Sequence, residues 1–380
     1  MLTLAFNIQP AEASGTIYIR ADGSIDPSTA NITSLDNVTY TFTDDISESI
    51  WVERDNIIID GANYILQGTG SGRGIYLVYT HLVCNVTIKN TNIKNFNGGI
   101  LLRDSSNIKI VDNNITENNW GITLAHSSNN IIVDNNIANN QDGIDYSWGV
   151  WLDESSNNAI SGNTITANKF DGIYLTDYSN NNIIVDNNIA NNGIGIRIGD
   201  IPIQCSNNSI YHNNFVNNIQ QVKDAGSANA WDDGYPSGGN YWSNYNGTDL
   251  YSGPSRNETG YDWIGDTPYI IDENNQDNYP LMNPYDPEKQ ETQVAYRILL
   301  GRYNDLLSDM EALNSAFQMS IDDLHDEINS VNSTQTSNQE AIIDELGILK
   351  TLLYVFMGIT VVLIATTVYL AIRKPKISKE

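Results

Sequence analysis

The sequence predicts an all-β fold, a right-handed parallel β-helix solenoid, followed by an α-helical coiled-coil stalk and one C-terminal transmembrane helix. Three observations lead there. The twelve residues NNIIVDNNIANN stand at Asn129–Asn140 and again, letter for letter, at Asn181–Asn192. Around them runs a longer array in which Ile, Asn and Gly recur in fixed columns. Past Glu291 the composition changes to helix formers and closes on an apolar run, Leu352–Ile372.

The chain has 380 residues, 40% of them hydrophobic, with 19 Lys and Arg against 46 Asp and Glu and a formal charge of −27. That length and apolar content support a substantial core and more than one domain. The acidity excludes a nucleic-acid partner, because phosphate binding needs a dense Lys/Arg face. It suits a solvent-facing surface that attracts divalent cations.

Residues 1–13 read as the remnant of a signal peptide: a short apolar stretch, then a small-x-small cleavage site at Ala11-Glu12-Ala13. Residues 14–52 contain strand-like stretches, GTIYIRADGS and VTYTFTDDI, and are expected to cap the open edge of the solenoid.

Residues 53–228 carry the repeats. One column reads Ile93, Ile115, Ile137, Ile165, Ile189 and Phe215, in steps of 22, 22, 28, 24 and 26. Five residues earlier stand Ile88, Ile110, Ile132, Ile160, Ile184 and Ile210. Asn fills a column at 113, 135, 163, 187 and 213, and another at 118, 140, 168, 192 and 218. A Gly-Ile column reads Gly99-Ile100, Gly121-Ile122, Gly143-Ile144, Gly172-Ile173 and Gly195-Ile196. Fixed columns at this period mean stacked units that bury their apolar faces against neighbours. The apolar runs are short, β-branched and broken by Asn, Asp and Gly, which is strand-and-turn chemistry. The L-x-x-L-x-L pattern of a leucine-rich repeat is absent. Ile should fill the bore. Asn should occupy the bends, because it tolerates left-handed backbone and its amide reaches the equivalent Asn one coil away. Cys84 and Cys205 fall about five coils apart, roughly 24 Å at ~4.8 Å per coil, beyond disulfide reach.

Residues 229–288 are rich in Trp, Tyr, Gly and Asp and are expected to cover the other end. Residues 289–350 form the stalk. Leu299, Tyr303, Leu306, Met310, Leu313 and Phe317 alternate steps of four and three, as do Ile321, Leu324, Ile328 and Val331. The extra step of four between Phe317 and Ile321 is a stutter. The polar stretch NSTQTSNQ interrupts the stripe, which resumes at Ile342, Leu346 and Leu349. Such a stripe implies a homo-oligomer, or else a single helix packed along its own β-domain. Residues 351–372 are long and apolar enough to span a bilayer. Residues 373–380 carry Arg373, Lys374, Lys376 and Lys379, which place this tail in the cytoplasm and the bulk of the chain outside. The expected location is a cell membrane, at an archaeal cell surface. Eight N-x-S/T sequons, at Asn31, Asn37, Asn85, Asn114, Asn207, Asn246, Asn257 and Asn332, lie on the outer side and would suit a glycoprotein.

The Asn/Ile coils resemble the right-handed β-helix proteins of the pectin-lyase-like superfamily. The segments GGNYWSNYNGTD and IGDTPYIIDENNQDNYPLM resemble the end of the repeat domain in the NosD family, named for a periplasmic copper-binding protein that assists nitrous oxide reductase. GTIYIRADGSIDP and VERDNIIIDGANYILQGTGSGRGI resemble the N-terminal region of large archaeal surface β-helix proteins. The resemblance covers about residues 15–285. It implies the fold, and it implies either a structural, adhesive or carbohydrate-binding surface protein, a tethered polysaccharide hydrolase or lyase, or a copper-binding accessory protein. Copper sites want clustered His, Cys or Met, whereas His81, His126, His212 and His325 are scattered.

Hydrolases on this fold use paired Asp, and lyases use carboxylates holding Ca2+ beside an Arg or Lys. The columns offer Asp142 with Asp171, Asp153 with Asp177, and Asp112 with Asp134; stacked carboxylates share a proton or bind a cation. Lys169, Arg103 and Arg197 are the basic groups nearby. The insertion DYSWGVW adds Tyr146, Trp148 and Trp151 near Trp120, Tyr174 and Tyr178, and flat rings beside acids suit a sugar groove. The plainer alternative is solvated turn acids and rings that shield strand edges. Asp249, Asp262, Asp266 and Asp272 are candidate Ca2+ ligands. Other envelope proteins are the alternative partners to glycans.

Overall fold

The computed structural model describes residues 15–77, 82–141, 147–199, 205–225, 228–332 and 346–357. The chain divides into two compact units, Met1–Asp249 with Trp263–Lys289, and Leu250–Asp262 with Gln290–Glu380.

The first unit is a parallel β-helix. Three sheets run its length, of ten, eight and nine strands. One contains longer strands, among them Gly98–Arg103, Trp120–Ala125, Trp148–Asp153 and Asp171–Thr176; it is called here the long-strand face. The register confirms the Ile columns. Ile110 pairs with Ile88 and Ile132, and Ile160 with Ile132 and Ile184. Ile115, Ile137, Ile165 and Ile189 follow one another the same way, and all are fully buried.

The repeated twelve-residue motif has a five-residue beat. In NNIIVDNNIANN, Asn129, Asp134 and Asn139 adopt left-handed backbone, with φ of 63°, 56° and 55°. The residue after each is a buried Asn: Asn130, Asn135 and Asn140. Two residues later Ile132 and Ile137 point into the bore. The two roles expected of one Asn are therefore divided between neighbours. The first residue turns the corner, and the second bonds along the axis. Each buried amide donates to the Oδ1 of the next coil's Asn, as in Asn113 to Asn135 at 3.0 Å, Asn135 to Asn163 at 3.0 Å and Asn163 to Asn187 at 2.9 Å. A third such column, Asn130, Asn158, Asn182 and Asn208, also runs through the solenoid. A serine column, Ser105, Ser127, Ser155 and Ser179, serves a further corner.

The Gly column needs one correction. Ile122 pairs with Val150, and Val150 with Ile173. Gly149-Val150 therefore fills the position assigned from sequence to Gly143-Ile144. A Cβ on Gly149 would stand 2.6 Å from the Gly172 carbonyl oxygen, 2.9 Å from Asn168 Nδ2 and 2.9 Å from Ile165 Cγ2. The column is glycine because backbone, amide column and core meet there without room for a methyl group.

The ends differ. Thr16–Ile19 pairs in parallel with Ser49–Val52, and Thr39–Phe42 with Ile57–Asp60, so residues 15–52 contribute strands to the long sheets themselves. At the other end Trp242 continues the column past Phe215. Phe215, Trp242 and Tyr269 stack at centroid distances of 4.3 and 4.1 Å. Asp277, fully buried, accepts from Asn240 N–H at 2.7 Å and Trp242 Nε1 at 2.8 Å.

Burial pushes the Asp277 carboxyl up from its ordinary 3.8 to about 7, against those two donors. The folded protein therefore holds a proton that the unfolded chain releases, between about pH 4 and about pH 7. This stabilising contribution is complete below pH 4 and lost as pH rises through about 7. Melting temperatures of the wild type and Asp277→Asn, measured across that window, should show the wild type losing ground to the variant as pH rises. A constant difference would mean that Asp277 titrates normally.

Both cysteines are free thiols, as expected. Burial pushes Cys205 up to about 11, so it is an inert core group.

The helix α1, Pro287–Asn332, is 46 residues long and belongs to the second unit from Gln290 onward. At 1.5 Å per residue it extends about 70 Å. Arg297 Nε donates to the Asp262 carbonyl at 2.7 Å, and Asn304 hydrogen-bonds Glu258, tying the loop Leu250–Asp262 to the N-terminal half of the helix. Farther along, Leu313, Met319 and Leu324 are exposed in this single chain. The coiled coil thus stays an expectation. Residues 346–357 are helical. Among the described residues no helix is long and apolar enough to cross a membrane. Most of the apolar run Leu352–Ile372, the tail 373–380 and the signal remnant 1–13 lie outside the described residues.

Candidate functional site

The long-strand face places its outward residues in register. One row reads Tyr76, Leu101, Thr123, Trp151, Tyr174, Arg197 and Lys223. A second contains Arg73, Gly98 and Trp120, then Trp148 paired with Asp171. A third reads Arg103, Ala125, Asp153 and Thr176. Side-chain size along these rows shapes the surface. Gly98, Thr123 and Ala125 are small and have bulkier neighbours, which leaves a notch of about 270 Å3. Arg73 and Arg103 line one side of it, and Trp151, Asp153 and His126 the other, with Trp120 between.

Beside the notch lies an aromatic platform. Trp148, only 8% exposed, is its centre. Its ring lies 5.9 Å from Trp120, 4.8 Å from Trp151 and 5.8 Å from Tyr174, tilted by 30 to 34°. Trp151 Nε1 donates to Thr176 Oγ1 at 3.0 Å, which fixes the indole. Arg197 lies 5.3 Å over the Tyr174 ring and grips Asp171 with two bonds, Nε to Oδ2 at 2.9 Å and Nη2 to Oδ1 at 3.0 Å. The structure thus brings together four of the six aromatic residues picked from sequence. Tyr178 is exposed on the following turn, with φ of 61°. Tyr146 lies outside the described residues.

The acid pairs come out differently. Asp171 is in register with Trp148. Asp142 itself lies outside the described residues. Burial raises the Asp171 carboxyl, opposed by the Arg197 guanidinium and a bond from Trp148. Asp153 pairs in register with Thr176, one residue short of Asp177. The two carboxyls nevertheless meet. Burial, then the hydrogen bond and repulsion from Asp177, hold Asp153 above the usual carboxylate range, while Thr176 and His126 oppose the shift. Asp112 and Asp134 keep their shared column as left-handed corner residues.

The expected Ca2+ ligands are taken up locally. Asp249 accepts from Trp263 N–H at 2.7 Å, Asp266 from Thr248 Oγ1 at 3.3 Å, and Asp272 from Asn274 N–H at 2.7 Å; Asp262 is buried. Among the described residues no group of three or more His, Cys, Asp or Glu side chains could hold a metal ion. Of the sequons, Asn31, Asn37, Asn85, Asn207, Asn246 and Asn257 are exposed. Asn114 sits within a strand, its amide bonded to Asn92 and Asn136. The side chain of Asn332 is not described.

Sequence models of the family described as "Periplasmic copper-binding protein (NosD)" match residues 11–147 and 50–247. The chain belongs to the NosD family. No curated protein matches it. Among solved structures, this NosD-family chain is similar to the periplasmic alginate epimerase AlgG, at 18% identity and a TM-score of 0.39, over 48% of this chain and 50% of that one. It is also similar to an alginate lyase from Paenibacillus, at 15% and 0.33, over 50% and 90%. Pectate lyase Pel9A gives 16% and 0.33, over 51% and 60%. At these identities the likeness is one of fold alone, and the chain spans about half the length of AlgG. Among the described residues the histidines are not gathered into a group that would hold the copper of the family's description. His126 faces Glu154 at 3.2 Å, and His212 stacks on Tyr285 at 4.4 Å and bonds Ser237. His325 stands on α1, and His81 lies outside the described residues.

The notch was the feature that sequence reasoning missed. Arg73 carries no sequence signal, because its position matters only once Gly98 is known to lie on the coil next to Thr123 and Ala125.

Proposed function

We propose that the chain is an exported surface protein, anchored by Leu352–Ile372, whose long-strand face binds polysaccharide. The carrying observation is the notch with its platform. Trp120 and Trp151 offer half-buried rings held in place by Trp148 and Thr176. Rings fixed before binding cost little entropy on association and cover the apolar face of a pyranose. Arg73 and Arg103 add two cations on a chain of charge −27, which favours glycans bearing carboxylates.

Binding without cleavage fits the acids better than hydrolysis. Two-carboxylate glycosidases hold their carboxyls about 5 to 9.5 Å apart, flanking the bond that breaks. The Asp177 side chain stands against Asp153 and helps hold its carboxyl above the usual carboxylate range, a direct approach rather than a pair set apart across a linkage.

The full-length protein on an array of acidic and neutral glycans should retain uronate-containing polymers. Trp151→Ala should weaken that retention by about tenfold, a loss typical of one aromatic anchor. Unchanged retention in Trp151→Ala would remove the face from consideration. Release of reducing ends or unsaturated products by the wild type, abolished in Asp153→Asn, would establish the enzyme reading instead.

A further inference from the structure

The solenoid does not end flush. The long-strand sheet stops at Gln220–Asp224, while the neighbouring sheet gains one more strand, Tyr241–Trp242. The missing rung leaves a recess of about 500 Å3, bounded on its far side by Tyr269–Ile271 of the terminal segment.

The recess is chemically unlike the notch. Its polar lining comes from amides and hydroxyls, including Asn217, Gln220, Gln221, Ser243 and Asn244, and no charged side chain lines it. In a chain with 46 acidic residues that neutrality is specific to the place. The amides are also held in position. The Asn column that runs through Asn192 ends at Asn218, whose Nδ2 donates at 2.9 Å to Gln221 Oε1 for want of a further Asn. Gln221 in turn donates to Ser243 Oγ at 3.0 Å and to Asn244 Oδ1 at 3.3 Å. Asn244 exchanges bonds with the Tyr269 hydroxyl at 3.1 and 3.2 Å, and Tyr269 is locked against Trp242. On the rim, Ile219 and Ile270 are 92% and 61% exposed, large apolar side chains beside a polar floor.

We propose that this terminal recess is a second, separate binding site, for a neutral saccharide. An ion would enter without a counter-charge, and a wholly apolar ligand would strip water from the polar floor without offering a hydrogen bond in return. A polyhydroxylated ring satisfies both parts, hydroxyls toward the amides and carbon face toward the isoleucines. Addition of a peptide strand to the open edge fits less well, because the Gln220 amide already donates to the Val222 carbonyl at 3.0 Å. The inference stands independently of the long-strand face.

The test uses full-length protein titrated with neutral trisaccharides (maltotriose, cellotriose, mannotriose, xylotriose), with a trigalacturonate as the charged comparison. Expected is saturable binding of at least one neutral trisaccharide. Asn244→Ala and Ile219→Asp should each weaken it about tenfold, the loss of one well-placed hydrogen bond or the gain of one unpaired charge. Trp151→Ala should leave it unchanged. Ile219 is so exposed that its substitution leaves folding intact, so a loss there reports on the recess. The proposal is overturned if no neutral trisaccharide binds, if binding disappears in Trp151→Ala, or if it survives both recess variants at wild-type strength.

Discussion

Asn163→Asp should lower the unfolding free energy by roughly 4 kcal/mol, from about 1 to 3 kcal/mol for each buried group left unsatisfied. Asn163 sits in the middle of its column and is buried. Its Oδ1 accepts both the backbone N–H and the Nδ2 of Asn135 at 3.0 Å. Its own Nδ2 serves Ile132 O, Ser161 O and Asn187 Oδ1, all at 2.9 Å. Aspartate keeps the side-chain acceptor and loses the side-chain donor, so Ile132 O and Ser161 O each lose the amide bond (Ser161 O keeping only the Asp134 N–H) and a buried carboxylate oxygen faces the Asn187 oxygen. The substitution is nearly isosteric, so the effect reports hydrogen bonding and charge, free of any cavity. Urea unfolding of the two proteins measures it. A variant that unfolds at the wild-type midpoint would show that the amide columns are decoration on a core that holds itself together.

The second large effect belongs to Gly149→Ala, expected to cost about 3 kcal/mol, at the upper end of overpacking penalties. The added methyl would sit 2.6 Å from a backbone oxygen, which has no rotamer with which to move aside. Relief requires the two coils to separate, and that stretches the Asn168 and Ile165 contacts on either side. Thermal unfolding checks it. Stability equal to the wild type would mean that Gly149 lies outside the column, and that Gly143 holds the place after all.

That pair of glycines shows where sequence was sufficient and where it was not. Ile and Asn columns were readable because their side chains repeat at every coil for a reason local to that coil. In the longest coil both Gly143 and Gly149 satisfy the Gly-apolar pattern, and counting from the preceding Asn favours the first. The spacing to the following corner decides: Gly121 precedes Asn130 by nine residues, and Gly149 precedes Asn158 by nine. Once that register is wrong, Asp142 is placed against Asp171, where Trp148 belongs. The third Asn column was equally visible, in SSNN, SSNN, YSNNN and CSNN. The notch was not, since it is made by what Gly98, Thr123 and Ala125 lack. Small residues carry no signal until their neighbours on adjacent strands are known.

The coil from Ile137 to Ile165 is the longest of the array, 28 residues against 22 for the coil before it. The coils on either side meet through Ile122 and Val150 in unbroken pairing. A coil can therefore be longer than its neighbours without losing the pairing that joins it to them. In such a scaffold the length of one coil is free to vary, while the load of staying folded rests on the paired columns.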